Sequence, residues 1–170
     1  VLLVTGFGNL VKTVTAFTVA HSITLAGSAL GYVDVSQGPV EAVIALSILF
    51  LARELLVTGQ RRSDSGYQPS LTERAPWLVA FAFGLLHGFG FAGALAEIGL
   101  PQNEIPLALL MFNVGVEAGQ LLFIGGVLLA ALGLAKVKWK IPYRVTSAVV
   151  FSIGGISAFW LIDRVAGFWV

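Results

Sequence analysis

The chain has 170 residues, 57% of them hydrophobic and only 11% charged, with a mean hydropathy of +0.91 and a formal net charge of +1 at pH 7. That balance excludes an ordinary water-soluble globular domain, and so small a basic excess gives nucleic acid no electrostatic footprint. Cysteine is absent, which removes disulfides, thiolate metal sites and cysteine nucleophiles together.

The chain opens Val-Leu-Leu-Val-Thr without an initiator methionine or a signal-peptide pattern and reads as a piece of a longer precursor or as a trimmed one. Val1 to Gly8 look like the cytoplasmic end of an earlier helix. Five apolar stretches follow, at 10–33, 39–58, 76–97, 105–133 and 142–163, each about the ~20 residues that a helix needs to cross ~30 Å of hydrocarbon. Open strands cannot span lipid, so the expected fold is an all-α integral membrane protein, a bundle of about five transmembrane helices forming one domain over residues 1–170. Asp34 to Pro39 is an acidic turn, Gln60 to Pro76 a polar loop with Arg61, Arg62 and Arg74, Gly99 to Pro106 a turn without a basic residue, and Leu134 to Pro142 a loop with Lys136, Lys138 and Lys140. Lys12 and the two basic loops fall on one side. The positive-inside rule makes that side cytoplasmic, with the visible amino end inside, the carboxyl end outside, and Trp77, Trp139, Trp160 and Trp169 as interface anchors.

Polar groups stand inside these stretches. On the first helix Thr18, His21, Ser22 and Leu25 share a face by three and four spacing. His21 is either a satisfied core residue or a functional group, since an imidazole in hydrocarbon needs a partner in both cases. The hydroxyls of Thr18 and Ser22 can also return a hydrogen bond to the carbonyl one turn earlier. The second helix carries Glu41 in its first turn, where the helix dipole favours an acid, Ser47 at its middle, and Glu54 beside Arg53 at its inner end. Glu41 is a candidate for attracting a cation from outside; Glu54 and Arg53 read equally as a boundary pair. The third helix holds His87 among Gly84, Gly88, Gly90 and Gly93, a small-residue pattern that lets another helix approach closely and places this helix centrally. The fourth carries the strongest signal: Asn113, Glu117 and Gln120 stand at i, i+4 and i+7, on one face. A carboxylate at that depth costs roughly 2.5–3.5 kcal/mol or more if unpaired, so a proton, a histidine, a basic residue or a metal must compensate it. Two imidazoles, a carboxylate and two amides make a nitrogen and oxygen donor set suited to nickel, cobalt, zinc or iron, whereas an all-oxygen site would suit magnesium or calcium. The competing reading is a proton-sharing polar network that binds the helices to one another.

Four motifs in order, Ala16-Phe-Thr-Val-Ala-His-Ser-Ile-Thr-Leu25, Pro39-Val-Glu-Ala-Val-Ile-Ala-Leu-Ser47, Gly84-Leu-Leu-His-Gly-Phe-Gly-Phe-Ala92 and Phe112-Asn-Val-Gly-Val-Glu-Ala-Gly-Gln120, resemble those of the HupE/UreJ membrane proteins. The resemblance covers most of the chain from Lys12 to Gln120; beyond it the fifth helix is similar only in being apolar. It implies a small multi-helix permease for nickel or cobalt in the cytoplasmic (inner) membrane of a bacterium. Relatives usually carry a preceding helix with a histidine and a Gly-x-Asp-His pattern, and this chain starts after the place where it would stand.

The leading expectation is a transition-metal transporter in which His21, His87, Asn113 and Glu117 bind a divalent cation (nickel, cobalt or zinc, as substrate or bound ion) midway across the bilayer. Thr18, Ser22, Glu41, Ser47 and Gln120 would support it. An intramembrane metal-dependent hydrolase, with Ser22 or Glu117 moving a proton, is the alternative; a non-catalytic assembly subunit is a third. The expected partners are the lipid bilayer and the metal ion, with self-association left open.

Overall fold

The computed structural model describes residues 4, 6–61, 66–98, 104–136 and 143–169. Arg62, the Gly99 to Asn103 part of the third turn, and Lys138, Trp139 and Lys140 lie outside the described residues. The described residues are helical throughout their ordered elements, with no strand: α1 (Phe7–Ala29), α2 (Gln37–Arg61), a one-turn α3 (Leu71–Arg74), α4 (Pro76–Ile98), α5 (Ile105–Lys136) and α6 (Tyr143–Ala166), which ends in a 3-10 turn at Gly167–Trp169. This is an all-α membrane protein. Among these elements α1, α4, α5 and α6 are long and apolar enough to cross a membrane. The expected second span is α2, which matches them in length with 25 residues and sets itself apart by Glu41, Arg53 and Glu54.

Local chemistry sets the boundaries. α1 stops where Gly31 adopts φ 77°, and the amides of Tyr32 and Val33 turn back to Gly27 O at 2.9 and 3.2 Å, so the last carbonyls are satisfied as the chain reverses. The loop expected between Gln60 and Pro76 contains α3. Its Ser70-x-x-Glu73 sequence lets Ser70 N donate to Glu73 Oε2 at 3.3 Å. Pro76 then opens α4, where its missing N–H removes nothing from the helix ladder.

The long helices lie in the order α5, α1, α4, α2, α6, each packed on the next. Paired residues give their directions. Lys12 meets Trp77 while His21 and Thr24 meet Gly88, so α1 and α4 run parallel. Glu41 meets Arg164 and Ala52 meets Gly154, so α2 and α6 run antiparallel; Ile44 beside Gly90 and Phe50 beside Phe83 make α2 and α4 antiparallel as well. The row curls at one end, where Phe91 of α4 also reaches Phe112 of α5, ring centroids 5.9 Å apart.

The glycines of α4 explain why it is central. A Cβ on Gly84 would strike the Phe17 carbonyl and lie 2.9 Å from Ala20 Cβ, and one on Gly88 would strike Thr24 and the His21 carbonyl. Gly90 and Gly93 face the other way, where a Cβ would meet Ile44 Cδ1 at 2.5 Å and Gln37 Cδ at 2.5 Å. One helix thus offers a small-residue seam to α1 and another to α2, and close backbone approach replaces the aqueous hydrophobic effect as the source of association. The outward faces carry Leu122, Phe123, Leu129, Phe151, Phe159 and Ile162, all exposed on the isolated chain and suited to lipid.

Candidate functional site

His21 is 1% exposed, inside an aromatic cage built from three helices. The rings of Phe17 and Phe112 stack on it at centroid distances of 6.0 and 6.3 Å, and Phe91 approaches edge-on at 5.4 Å. Phe17 comes from the turn before it on α1, Phe91 from α4 and Phe112 from α5. Neither ring nitrogen of His21 has a hydrogen-bond partner. An imidazole always offers at least one N–H, and each buried polar group left unpaired costs roughly 1–3 kcal/mol. With two such atoms, His21 is the least satisfied buried polar side chain among the described residues.

His87 meets the same phenyl ring, 5.4 Å edge-on from Phe17. Its Nδ1 lies 2.8 Å from Phe83 O, one turn earlier on α4. A carbonyl only accepts, so Nδ1 carries the proton and Nε2 keeps its lone pair for a metal or a donor. Phe17 is therefore a neighbour common to both imidazoles. Asn113 contributes from α5: its Nδ2 donates to Leu109 O at 2.8 Å, and its Oδ1 is buried without a partner.

Glu117 and Gln120 belong to an adjoining seam between α5 and α1. Thr15 Oγ1 donates to Glu117 Oε1 at 2.9 Å, and Thr18 Oγ1 stands 3.4 Å from Gln120 Oε1 and 3.3 Å from Val14 O. Ser22 spends its hydroxyl on Thr18 O at 2.6 Å, and Ser47 spends its own on Ile44 O at 2.7 Å. Glu41 pairs with Arg164 Nε at 2.8 Å, while Glu54 is buried and accepts from Thr72 Oγ1 at 2.8 Å, which ties α3 to α2. Among the described residues no three of His, Cys, Asp and Glu converge closely enough to hold an ion. The His21 nitrogens and Asn113 Oδ1 are buried without a hydrogen-bond partner, and the bond from His87 Nδ1 to Phe83 O leaves His87 Nε2 unused.

A cavity of about 230 Å³ opens between α1, α4 and α5, lined by Thr13, Phe17, Ala80, Gln120 and Phe123 among others. Phe17 thus borders both this cavity and the two imidazoles. Sequence spacing singled out the histidines and the α5 polar face, but not Thr15 or the phenylalanines. Thr15 was accessible to the same argument, since it precedes Thr18 by three. The aromatic cage was not, because Phe91 and Phe112 reach His21 only through the packing of three helices.

A family model described as HupE / UreJ protein matches residues 1–164. No curated protein and no solved structure matches the chain. The matched family is linked to nickel and cobalt handling. With residues 1–164 of 170 inside the match, the chain belongs to the HupE/UreJ family.

Proposed function

We propose that the chain moves a divalent cation of the nickel or cobalt type across the membrane, with His21, His87 and Asn113 as donors near the bilayer midplane and Glu117 as the neighbouring carboxylate. One observation carries the reading: His21 is caged by three phenyl rings with both nitrogens unpaired. A residue kept only for packing would be cheaper as phenylalanine. Imidazole nitrogen suits first-row transition metals, and amide and carboxylate oxygens complete a mixed set. The nearby Glu117 offers a negative charge to offset the cation, with Thr15 holding its carboxylate toward α1.

The amino end of α1 is cytoplasmic in this reading. Lys12 Nζ lies 4.5 Å over the Trp77 ring, which gathers two amino-terminal helix ends at one interface together with Arg74, and the positive-inside rule assigns that interface to the cytoplasm. The cavity beside Thr13 and Gln120 then leads toward the cytoplasm, and Phe17 borders both it and the imidazoles. A divalent cation drawn inwards gains roughly 4.6 kcal/mol per 100 mV of membrane potential, so the gradient itself can drive uptake.

The test pairs accumulation with binding. Cells expressing the chain are assayed for nickel and cobalt uptake, and the purified protein for retained metal by inductively coupled plasma mass spectrometry, for wild type, His21→Ala, His87→Ala and Glu117→Gln. Loss of both readouts in the histidine variants, with uptake alone falling in Glu117→Gln, supports the proposal. Uptake unchanged by either histidine substitution overturns it in favour of a polar packing network.

A further inference from the structure

Between α2, α3 and α4 runs a second cavity, about 630 Å³, lined by Val43, Leu46, Phe50, Leu71, Ala82 and Phe83 among others. Ser47, its one polar lining residue, is turned back onto Ile44 O. On α4 the lining runs from Leu78 to Leu86, which at ~1.5 Å per residue is about 12 Å. The hydrocarbon of one leaflet is about half of ~30 Å. The groove therefore extends from the interface, marked by Trp77, nearly to the midplane: the span of one lipid tail.

Its interfacial end is cationic. Arg53 stands three residues beyond Phe50 on α2, and Arg74 three residues beyond Leu71 on α3, so both project one turn past residues that line the mouth; both are exposed. The nearby acids among the described residues are engaged elsewhere. Glu54 is buried under Thr72, and Glu73 accepts from Ser70 N and from the Tyr67 hydroxyl. Arg74 gives one nitrogen to Gln68 Oε1 at 3.0 Å, which leaves the rest of its fork for a phosphate. We propose that this groove holds one acyl chain of an anionic phospholipid, whose phosphate is bound between Arg53 and Arg74. A second copy of the chain fits less well, because a two-fold contact within the membrane plane brings equal depths together and so sets these arginines against their own counterparts.

The inference needs only membrane insertion and is independent of metal transport. Native mass spectrometry of the detergent-purified protein, titrated separately with phosphatidylglycerol and phosphatidylcholine, tests it. Wild type should retain one phosphatidylglycerol in preference to phosphatidylcholine, by about fivefold for each arginine engaged. Ala82→Trp, which fills the groove from an exposed position, should lose that lipid. The pair Arg53→Gln and Arg74→Gln should keep a lipid but lose the preference. Far-UV circular dichroism identifies a misfolded Ala82→Trp, in which case Ala82→Leu carries the test with a partial loss. Equal retention of the two lipids by wild type, retention unchanged by a folded groove-filling variant, or a dimer that the variant dissociates would each overturn the proposal.

Discussion

Gly88→Ala tests whether the α1–α4 seam is as close as the structure has it. The new Cβ would overlap Thr24 Oγ1 and the His21 carbonyl and sit 3.0 Å from Leu25 N. Thr24 could rotate away, but two of these three obstacles are backbone, so the helices must part by enough to restore ordinary contact near 3.4 Å or more. Overpacking of this kind costs roughly 1–3 kcal/mol, against a gain of roughly 0.5–1 kcal/mol from replacing a helical glycine by alanine. The net expectation is a loss of up to about 2.5 kcal/mol, and of about 1–3 kcal/mol relative to an unobstructed glycine-to-alanine change. Gly119→Ala on α5 is the control, since nothing lies within 4 Å of its added Cβ, and only the helix gain of roughly 0.5–1 kcal/mol remains. Both are measured by reversible denaturation in a single detergent. The double substitution Gly88→Ala with Thr24→Ala should recover only part of the loss, because the His21 carbonyl stays in place. If Gly88→Ala proved as stable as Gly119→Ala, the close approach of α1 and α4 would be refuted.

Three further outcomes are expected. His21→Phe keeps the aromatic cage and removes both unpaired nitrogens, so retained nickel should fall about tenfold or more while far-UV helicity is preserved; metal retained at the wild-type level would show that His21 is no ligand. Thr72→Val leaves the buried Glu54 oxygen without its donor and should cost roughly 1–3 kcal/mol in thermal denaturation, whereas an unchanged midpoint would mean that α3 does not hold α2. Glu41→Gln breaks a pair whose side chains are 50% and 40% exposed, so the loss should stay below roughly 1 kcal/mol and shrink in high salt; a salt-independent loss of several times that size would place the pair away from water.

Four of the five expected spans were legible in the sequence because hydrocarbon admits so few solutions: apolar runs of the right length must be helices, and each deep polar group stands out against them. The role of Gly84 and Gly88 in close packing was legible for the same reason. Lateral order was not. Hydropathy leaves the rotation of each helix about its axis unspecified, so it could not reveal that Glu41 meets Arg164 on α6, or that His21 and His87 both meet the ring of Phe17. The α3 turn was hidden by the polarity of its loop, although Ser70 and Glu73 carried a capping signal three residues apart.

The order of the helices in space also differs from their order in synthesis. α1 ends beside α4 and α5, while α2, made next, packs on α4 and α6. Thr15 waits 102 residues for Glu117, roughly 5–20 s at ~5–20 residues per second. During that interval the imidazole of His21 lacks the rings of Phe91 and Phe112 that will enclose it. The enclosure of His21 is therefore completed only when α5, made after α2 and α4, comes to rest against α1.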